Sequence, residues 1–239
     1  MSIVEKKDSQ TFQGFNNIYK PKDEREVSNF IKENYNKNLS IEIIGSGSKN
    51  FIGNKLKCEK ILSLSELSGI IEYHPEELYI KVKACTPIID IEKILENNNQ
   101  ELGFEPIDFG FIKNSASNKG SAGGYLSSNF SGSRRFKVGS VRDHILGFRG
   151  VNGKGEIIKS GGTVVKNVTG YDLSKLVTGS FGTLIALTEI TFKVLPKKTS
   201  SSTVAIHTDD INEVVTYFDR ILNSSNEISG SVYIPQEPK

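Results

Sequence analysis

The chain has 239 residues, 36% of them hydrophobic and 24% charged, and its 30 basic and 28 acidic side chains leave a formal charge of +2. That balance belongs to a folded globular chain, and it offers no surplus of positive charge to neutralise a phosphate backbone, so nucleic acid is a poor partner. No apolar run reaches the roughly 18 residues that cross a bilayer, and the opening MSIVEKKDSQTFQG has no apolar leader segment; the expectation is a cytoplasmic protein without a membrane span.

Taken in order, Asp23-Glu24-Arg25-Glu26 puts acid in a first helical turn and leads into Val27, Phe30 and Ile31 at helical spacing, which predicts an amphipathic helix. SIEII at 40–44 is a β-branched run that stops at Gly45, so a glycine loop follows a strand end. From Leu78 to Ala84 apolar residues alternate with Tyr79, Lys81 and Lys83, the period of a half-buried strand, and Ile88, Ile91, Ile94 and Leu95 then share one helical face. Two β-prone runs between Ile145 and Lys159 flank Asn152-Gly153-Lys154-Gly155, a hairpin turn. Thr183 to Leu195 is a long strand stopped by Pro196. Beyond a polar KKTSSS link, TVAIHT predicts a strand, DDINEVVTYFDRILNSS a helix and SGSVYIP another strand, the opening of a further unit.

Cys58 and Cys85 have neither CxxC spacing nor a nearby histidine and are expected to be buried free thiols; His74, His144 and His207 are scattered, so no metal is expected. The chemistry is carried by glycine instead. Between Gly120 and Gly182 lie 14 of the 22 glycines, more than twice an even share, and glycine allows main-chain N–H groups to approach a bulky polar ligand. A turn-rich β domain would show the same excess. The loop Gly45-Ser46-Gly47-Ser48-Lys49-Asn50-Phe51-Ile52-Gly53 offers N–H donors, hydroxyls and an ammonium to a pyrophosphate. It lacks the GxGxxG spacing, and Lys49 precedes Asn50 rather than Ser or Thr, so it is neither a dinucleotide fingerprint nor a Walker A loop. By itself it would serve equally as a turn. Gly120-Ser121-Ala122-Gly123-Gly124-Tyr125-Leu126-Ser127-Ser128-Asn129 could line the other side of an extended cofactor.

These segments, with NVTGYDLSKLVTGSFGTLIALTEITFKVLP in the same order, resemble the PCMH-type FAD-binding domain of the vanillyl-alcohol oxidase and p-cresol methylhydroxylase superfamily over about residues 40–195. Within it the likeness is to the small FAD-binding (E) subunits of glycolate oxidases, which are similar to D-lactate and glycolate dehydrogenases. The resemblance implies an α+β fold of two α+β subdomains, about 1–68 and 69–198, with FAD between them, followed by the truncated start of a cap domain at 199–239. By motif, Gly45, Ser46, Gly47, Ser48, Lys49 and Asn50 would face the pyrophosphate and ribose. Gly120, Ser121, Ala122, Gly123 and Gly124 would follow the phosphates and ribityl chain, with hydroxyls from Ser127, Ser128 and Ser131. Ile185 would touch the cofactor through its main chain, and Gly139, Val141 and Asp143 would lie near the flavin or close the subdomain; Asp143 would equally cap or pair with Arg142 or Arg149. Tyr171 and Asp172 read as structural, Asp172 as a helix N-cap.

Two departures from the family shape the functional expectation. Members that attach FAD covalently often place a histidine in the pyrophosphate loop, where this chain has Ser46, Ser48 and Lys49, so the flavin is expected to be held non-covalently. The histidine- and glycine-rich motif that carries substrate and metal ligands in the larger hydroxy-acid dehydrogenases is absent, so no catalytic residue is assigned. The resemblance implies an FAD-binding subunit of an oxidoreductase acting on a small 2-hydroxy acid such as glycolate or D-lactate. It would work with a larger FAD-containing catalytic subunit and an iron–sulfur subunit, through which any peripheral contact with the inner membrane would be made. A self-sufficient dehydrogenase lacking its cap and a non-catalytic scaffold remain as alternatives.

Overall fold

The computed structural model describes residues 18–53, 58–112, 116, 118–162 and 170–235. The first strand, β1 (Ile18–Tyr19), leads into helix α1 (Glu24–Asn36). Asp23 caps that helix by accepting the Glu26 N–H, which satisfies one of the donors left open in a first turn. Strands β2 (Ile41–Ile44) and β3 (Lys60–Ser63) complete a parallel sheet of order β1-β3-β2. Parallel strands cannot be joined by a tight turn, so α1 serves as a crossover between β1 and β2. Its apolar stripe, Val27 and Ile31, packs with Leu62, Leu64 and Leu67, and the Phe30 ring stacks on Tyr19.

The second sheet is antiparallel. Strands β4 (Ile70–His74) and β5 (Tyr79–Lys83) precede helix α2 (Ile88–Glu96) and β6 (Gln100–Leu102). Short helices α3 (Phe109–Ile112), α4 (Ala122–Ser128) and α5 (Arg135–Val138) follow, then a single 3-10 turn over Val141–Asp143. The hairpin β7 (Ile145–Asn152) and β8 (Ile157–Gly161), helix α6 (Leu173–Val177), β9 (Ile185–Pro196) and α7 (Ile211–Leu222) complete the chain. The order is β4-β5-β9-β7-β8, with β6 also on β9. β9 is therefore the hub, bonded to β5 and β7 and, past Phe192, to β6.

Register assigns the two faces of this sheet opposite roles. Ile80 faces Phe192 and Val82 faces Ile190, so these side chains share one face and pack against Ile88, Ile91 and Leu95 of α2 and Tyr125 and Leu126 of α4. On the other face Glu72 pairs in register with Lys81, and Lys159 with Arg149, which lies opposite Glu189. The two sheets are joined where the β7–β8 turn rests on α1: the Ser28 hydroxyl donates to the Gly155 carbonyl at 2.5 Å. Glu24, at the start of α1, accepts from both Arg149 and the Thr188 hydroxyl.

The expected helices, the β5 and β9 strands and the hairpin are all present, and Asp172 caps α6 by accepting the Lys175 N–H. Both cysteines are free thiols, but Cys58 is only half-buried while Cys85 is buried. The strands expected at 203–208 and 229–235 do not form, although the helix between them does. Alternation supplies a strand with a face to bury, but the strand also needs a neighbour to complete its ladder. No described residue pairs with either segment, and Val204, Val232 and Ile234 stay exposed.

Candidate cofactor-binding site

The ends of the two sheets enclose a cleft of about 1040 Å³, counted with its open mouth. One wall is Glu42, Ile43 and Ile44 of β2 with the loop that follows; the opposite wall is Gly123, Gly124, Ser127 and Ser128 of α4; Ile185 and Leu187 of β9 form the back.

The loop after β2 is built as a set of open donors. Gly47 has φ +73°, which reverses the chain without the penalty a Cβ would bring. The Asn50 N–H returns to the Gly47 carbonyl and the Ile52 N–H to that of Lys49. The N–H groups of Ser46, Gly47, Ser48 and Lys49 donate to no acceptor among the described residues. Consecutive free N–H groups at a concave turn form an anion-binding nest. Opposite them, Ser121 caps α4 by accepting the Gly124 N–H, and Ser128 returns its hydroxyl to the Gly124 carbonyl at 2.8 Å.

Lys49 adds the charge. Its ammonium lies 4.3 Å from the centre of the Tyr125 ring, 4.6 Å from that of Phe109 and 3.4 Å from Ser48 Oγ. None of the ion pairs among the described residues includes it. Burial, with no carboxylate to offset it, pushes the amine down to about 8. Gly120 leaves room for this side chain: a Cβ there would stand 2.6 Å from Ser48 Oγ and 3.1 Å from Lys49 Nζ, at a φ of +79°.

The expected site residues fall into two groups. Gly45, Ser46, Gly47, Ser48, Lys49, Asn50, Ser121, Gly123, Gly124, Ser127, Ser128 and Ile185 all line the cleft. Gly120 stands behind the loop, and Ala122 points into the core with its N–H on the Thr86 carbonyl. Ser131, Gly139 and Val141 lie away from the cleft wall. Ser131 Oγ accepts the Val141 N–H at 3.1 Å, and Val141 is core. Asp143 accepts from the backbone and hydroxyl of Ser140, interactions that hold its carboxyl below the usual range, so it caps the 3-10 turn rather than pairing with Arg142 or Arg149. Tyr171 is almost fully exposed, not packed as expected.

Other cleft residues were not among the expected site residues. Cys85 lies at the base of the cleft, near Gly45, and burial raises its thiol so that it stays protonated. Glu42 projects from β2 and is also raised by burial. Phe181 lines the mouth with φ +52°, its N–H on the Ser127 carbonyl. Only the approach of β2, β5 and α6 in space brings these three together. His144 is elsewhere, inside the core against Phe104, with Nε2 2.8 Å from the Val138 carbonyl and its basicity lowered by burial.

A protein-family model described as an FAD binding domain matches residues 16–161, which span the loop, α4 and the β7–β8 hairpin. The chain belongs to this family. FAD is its cofactor, and the loop N–H groups and the Lys49 ammonium, none of them bonded to an anionic partner among the described residues, fit the diphosphate of that molecule. The chain is 39% identical to glycolate oxidase subunit GlcE of Escherichia coli strain K12 over 182 residues, 74% of this chain and 50% of the relative. It is 30% identical to glycolate oxidase subunit GlcD of Bacillus subtilis strain 168 over 189 residues, 78% of this chain and 38% of the relative. It thus spans half or less of the curated relatives it matches. Alkyldihydroxyacetonephosphate synthase superposes on 77% of this chain and 34% of its own with a TM-score of 0.59 at 20% identity, which shows a shared fold.

Among the described residues no helix is long and apolar enough to cross a membrane.

Proposed function

We propose that this chain is the FAD-binding subunit of an assembly that oxidises a small 2-hydroxy acid, glycolate or D-lactate, and that it holds FAD without a covalent bond. The observation that carries the reading is the set of four consecutive N–H groups, Ser46 to Lys49, that bond to no acceptor among the described residues, in a loop that lines the cleft together with α4. The same proposal covers Gly45 to Asn50 on the diphosphate, Gly123 and Gly124 along the chain beyond it, and Ile185 at the back. Gly120, Ala122, Ser131, Gly139 and Val141 would act from behind these walls by shaping them.

Bound FAD would supply the two-electron acceptor and the relay of electrons onward. The protein's part is positional. The loop fixes the diphosphate, α4 sets the direction of the ligand, and the apolar back wall of Ile185 and Leu187 keeps water from that side. Non-covalent attachment is supported by the cleft lining, which contains no histidine among the described residues, and by Cys85, whose raised thiol is a poor nucleophile. The names of GlcE and GlcD support a multi-subunit assembly. In it a larger flavoprotein subunit would carry catalysis and an iron–sulfur subunit would take electrons, with any inner-membrane contact made through them. The subdomain division near residue 68 and a cap domain beginning near 199 belong to the same reading.

The test is to incubate the purified chain with FAD, remove free cofactor, record the visible spectrum and precipitate with acid. A retained flavin spectrum with FAD released to the supernatant is expected. Flavin in the pellet overturns non-covalent binding, and no retention overturns the cofactor site itself.

A further inference from the structure

Lys49 differs in its surroundings from Lys81 and Lys119, two other partly buried lysines. Lys81 lies 3.2 Å from Glu72 and 3.3 Å from Glu189, and Lys119 lies 2.8 Å from Glu92; each is matched by a carboxylate. Among the described residues, Lys49 is matched only by two aromatic faces and a hydroxyl. An aromatic face attracts a cation but does not neutralise it, so a charge is buried here with its counter-charge missing. The ammonium lies between its own loop and the facing segment: a Cβ on Gly120 or Gly124 would stand 3.1 or 3.4 Å from Nζ.

We propose that Lys49 is a proton-coupled counter-charge for the cofactor's diphosphate, taking up a proton as the diphosphate enters the nest. The inference rests on the FAD-binding reading and adds to it a specific charge and its linkage to pH. In the free protein the amine titrates near 8 because burial opposes its charged form. A diphosphate beside it favours that charged form, so the bound amine titrates higher. The proton comes from solvent, and no bond other than N–H is made or broken.

The surrounding titratable groups leave this role to Lys49. On α4 the Tyr125 hydroxyl donates to the Ile107 carbonyl at 2.6 Å and is pushed far up by burial, so it stays neutral. Asp108, before α3, accepts N–H groups from Gly110 and Asn118. Glu92 of α2 is held by Lys119. Cys85, after β5, and Glu42 of β2 are both raised by burial. Of these, Tyr125 and Cys85 are the other groups whose titration lies on the alkaline side, and each would lose a proton rather than gain one.

Calorimetric titration of the cofactor-free chain with FAD, in pairs of buffers with unlike ionisation enthalpies, reads the proton directly. The expected uptake is about 0.1 proton at pH 7 and about 0.9 at pH 9, with affinity falling towards tenfold per pH unit above about 8. Lys49→Arg, which keeps its charge at both pH values, should bind FAD with no uptake at either. Lys49→Met should bind more weakly and also without uptake. FAD binding by the wild type with no uptake at pH 9, or uptake that persists in Lys49→Met, overturns the inference and leaves the FAD site standing; no FAD binding by the wild type overturns both.

Discussion

The cleft and the outer face of the large sheet treat buried charge in opposite ways. On the sheet, Lys81 is desolvated, which alone would lower its basicity, yet Glu72 and Glu189 outweigh that effect and raise it. Arg149 is held up first by its hydrogen bonds to Glu24. In the cleft, Lys49 is desolvated to a greater degree and left unmatched, so its basicity falls. A closed set of ion pairs holds a surface together and has no bonding capacity left for a ligand. An unmatched cation beside free N–H groups contributes little to the fold and retains its capacity for an anion. The contrast separates structure from function without reference to any relative.

The largest effect should come from closing the cradle. Gly120→Val places a branched side chain at φ +79° against Ser48 Oγ and Lys49 Nζ. Strain and overlap of this kind cost about 1–3 kcal/mol, and displacement of the loop should weaken FAD on the order of 100-fold, equivalent to about 3 kcal/mol. Retained flavin absorbance after desalting measures this. Wild-type retention in a folded variant would mean that the segment at Gly120 does not shape the diphosphate site.

Glu24→Gln attacks the other region. Its carboxylate accepts from Arg149 at 2.5 Å and from the Thr188 hydroxyl at 2.6 Å, so the amide leaves a part-buried guanidinium short of its partner. A loss of about 1–2 kcal/mol is expected in denaturant unfolding, with FAD retained by the molecules that remain folded. If FAD were lost while stability held, the join between α1 and the large sheet would have to be part of the cofactor site.

How far the sequence disclosed these two regions depends on how local each signal is. Asp172 was legible as a cap because capping is settled within three residues, and the hairpin because Asn152-Gly153 dictates a turn. Most cleft residues were legible because the two glycine segments are contiguous in the chain. Val141 and Ser131 lie away from the cleft wall, because a motif gives neighbourhood in sequence whereas the bond between them turns both towards the core. Cys85 and Glu42 lay outside the motifs, and Phe181, inside the third, was given no role; each reaches the cleft only through the meeting of separate elements. The strands expected at 203–208 and 229–235 failed for a related reason: alternation is local and a ladder partner is not. The aromatic setting of Lys49 was invisible too, since Phe109 and Tyr125 lie 60 or more residues along the chain.

The smallest effect is the most discriminating, because its sign differs between the regions. Lys81→Met removes a cation from two partly exposed ion pairs and should lower stability by about 0.5–1 kcal/mol at pH 7. Lys49→Met, in the cofactor-free chain, replaces an unmatched ammonium by an apolar side chain suited to Tyr125 and Phe109, and should raise stability by up to about 1 kcal/mol at the same pH. The pH dependence fixes the cause. Lys49 titrates near 8 when folded and near its ordinary 10.5 when unfolded, so between those values the unfolded chain binds more protons and wild-type stability rises with pH. The advantage of Lys49→Met should therefore shrink across that window as the wild-type amine sheds its charge, while the deficit of Lys81→Met should hold until Lys81 itself titrates, above 10.5. Unfolding curves at pH 7 and pH 9.5 suffice, and a Lys49→Met chain less stable than wild type at pH 7 would show that the two aromatic faces stabilise the cation well enough to make it structural.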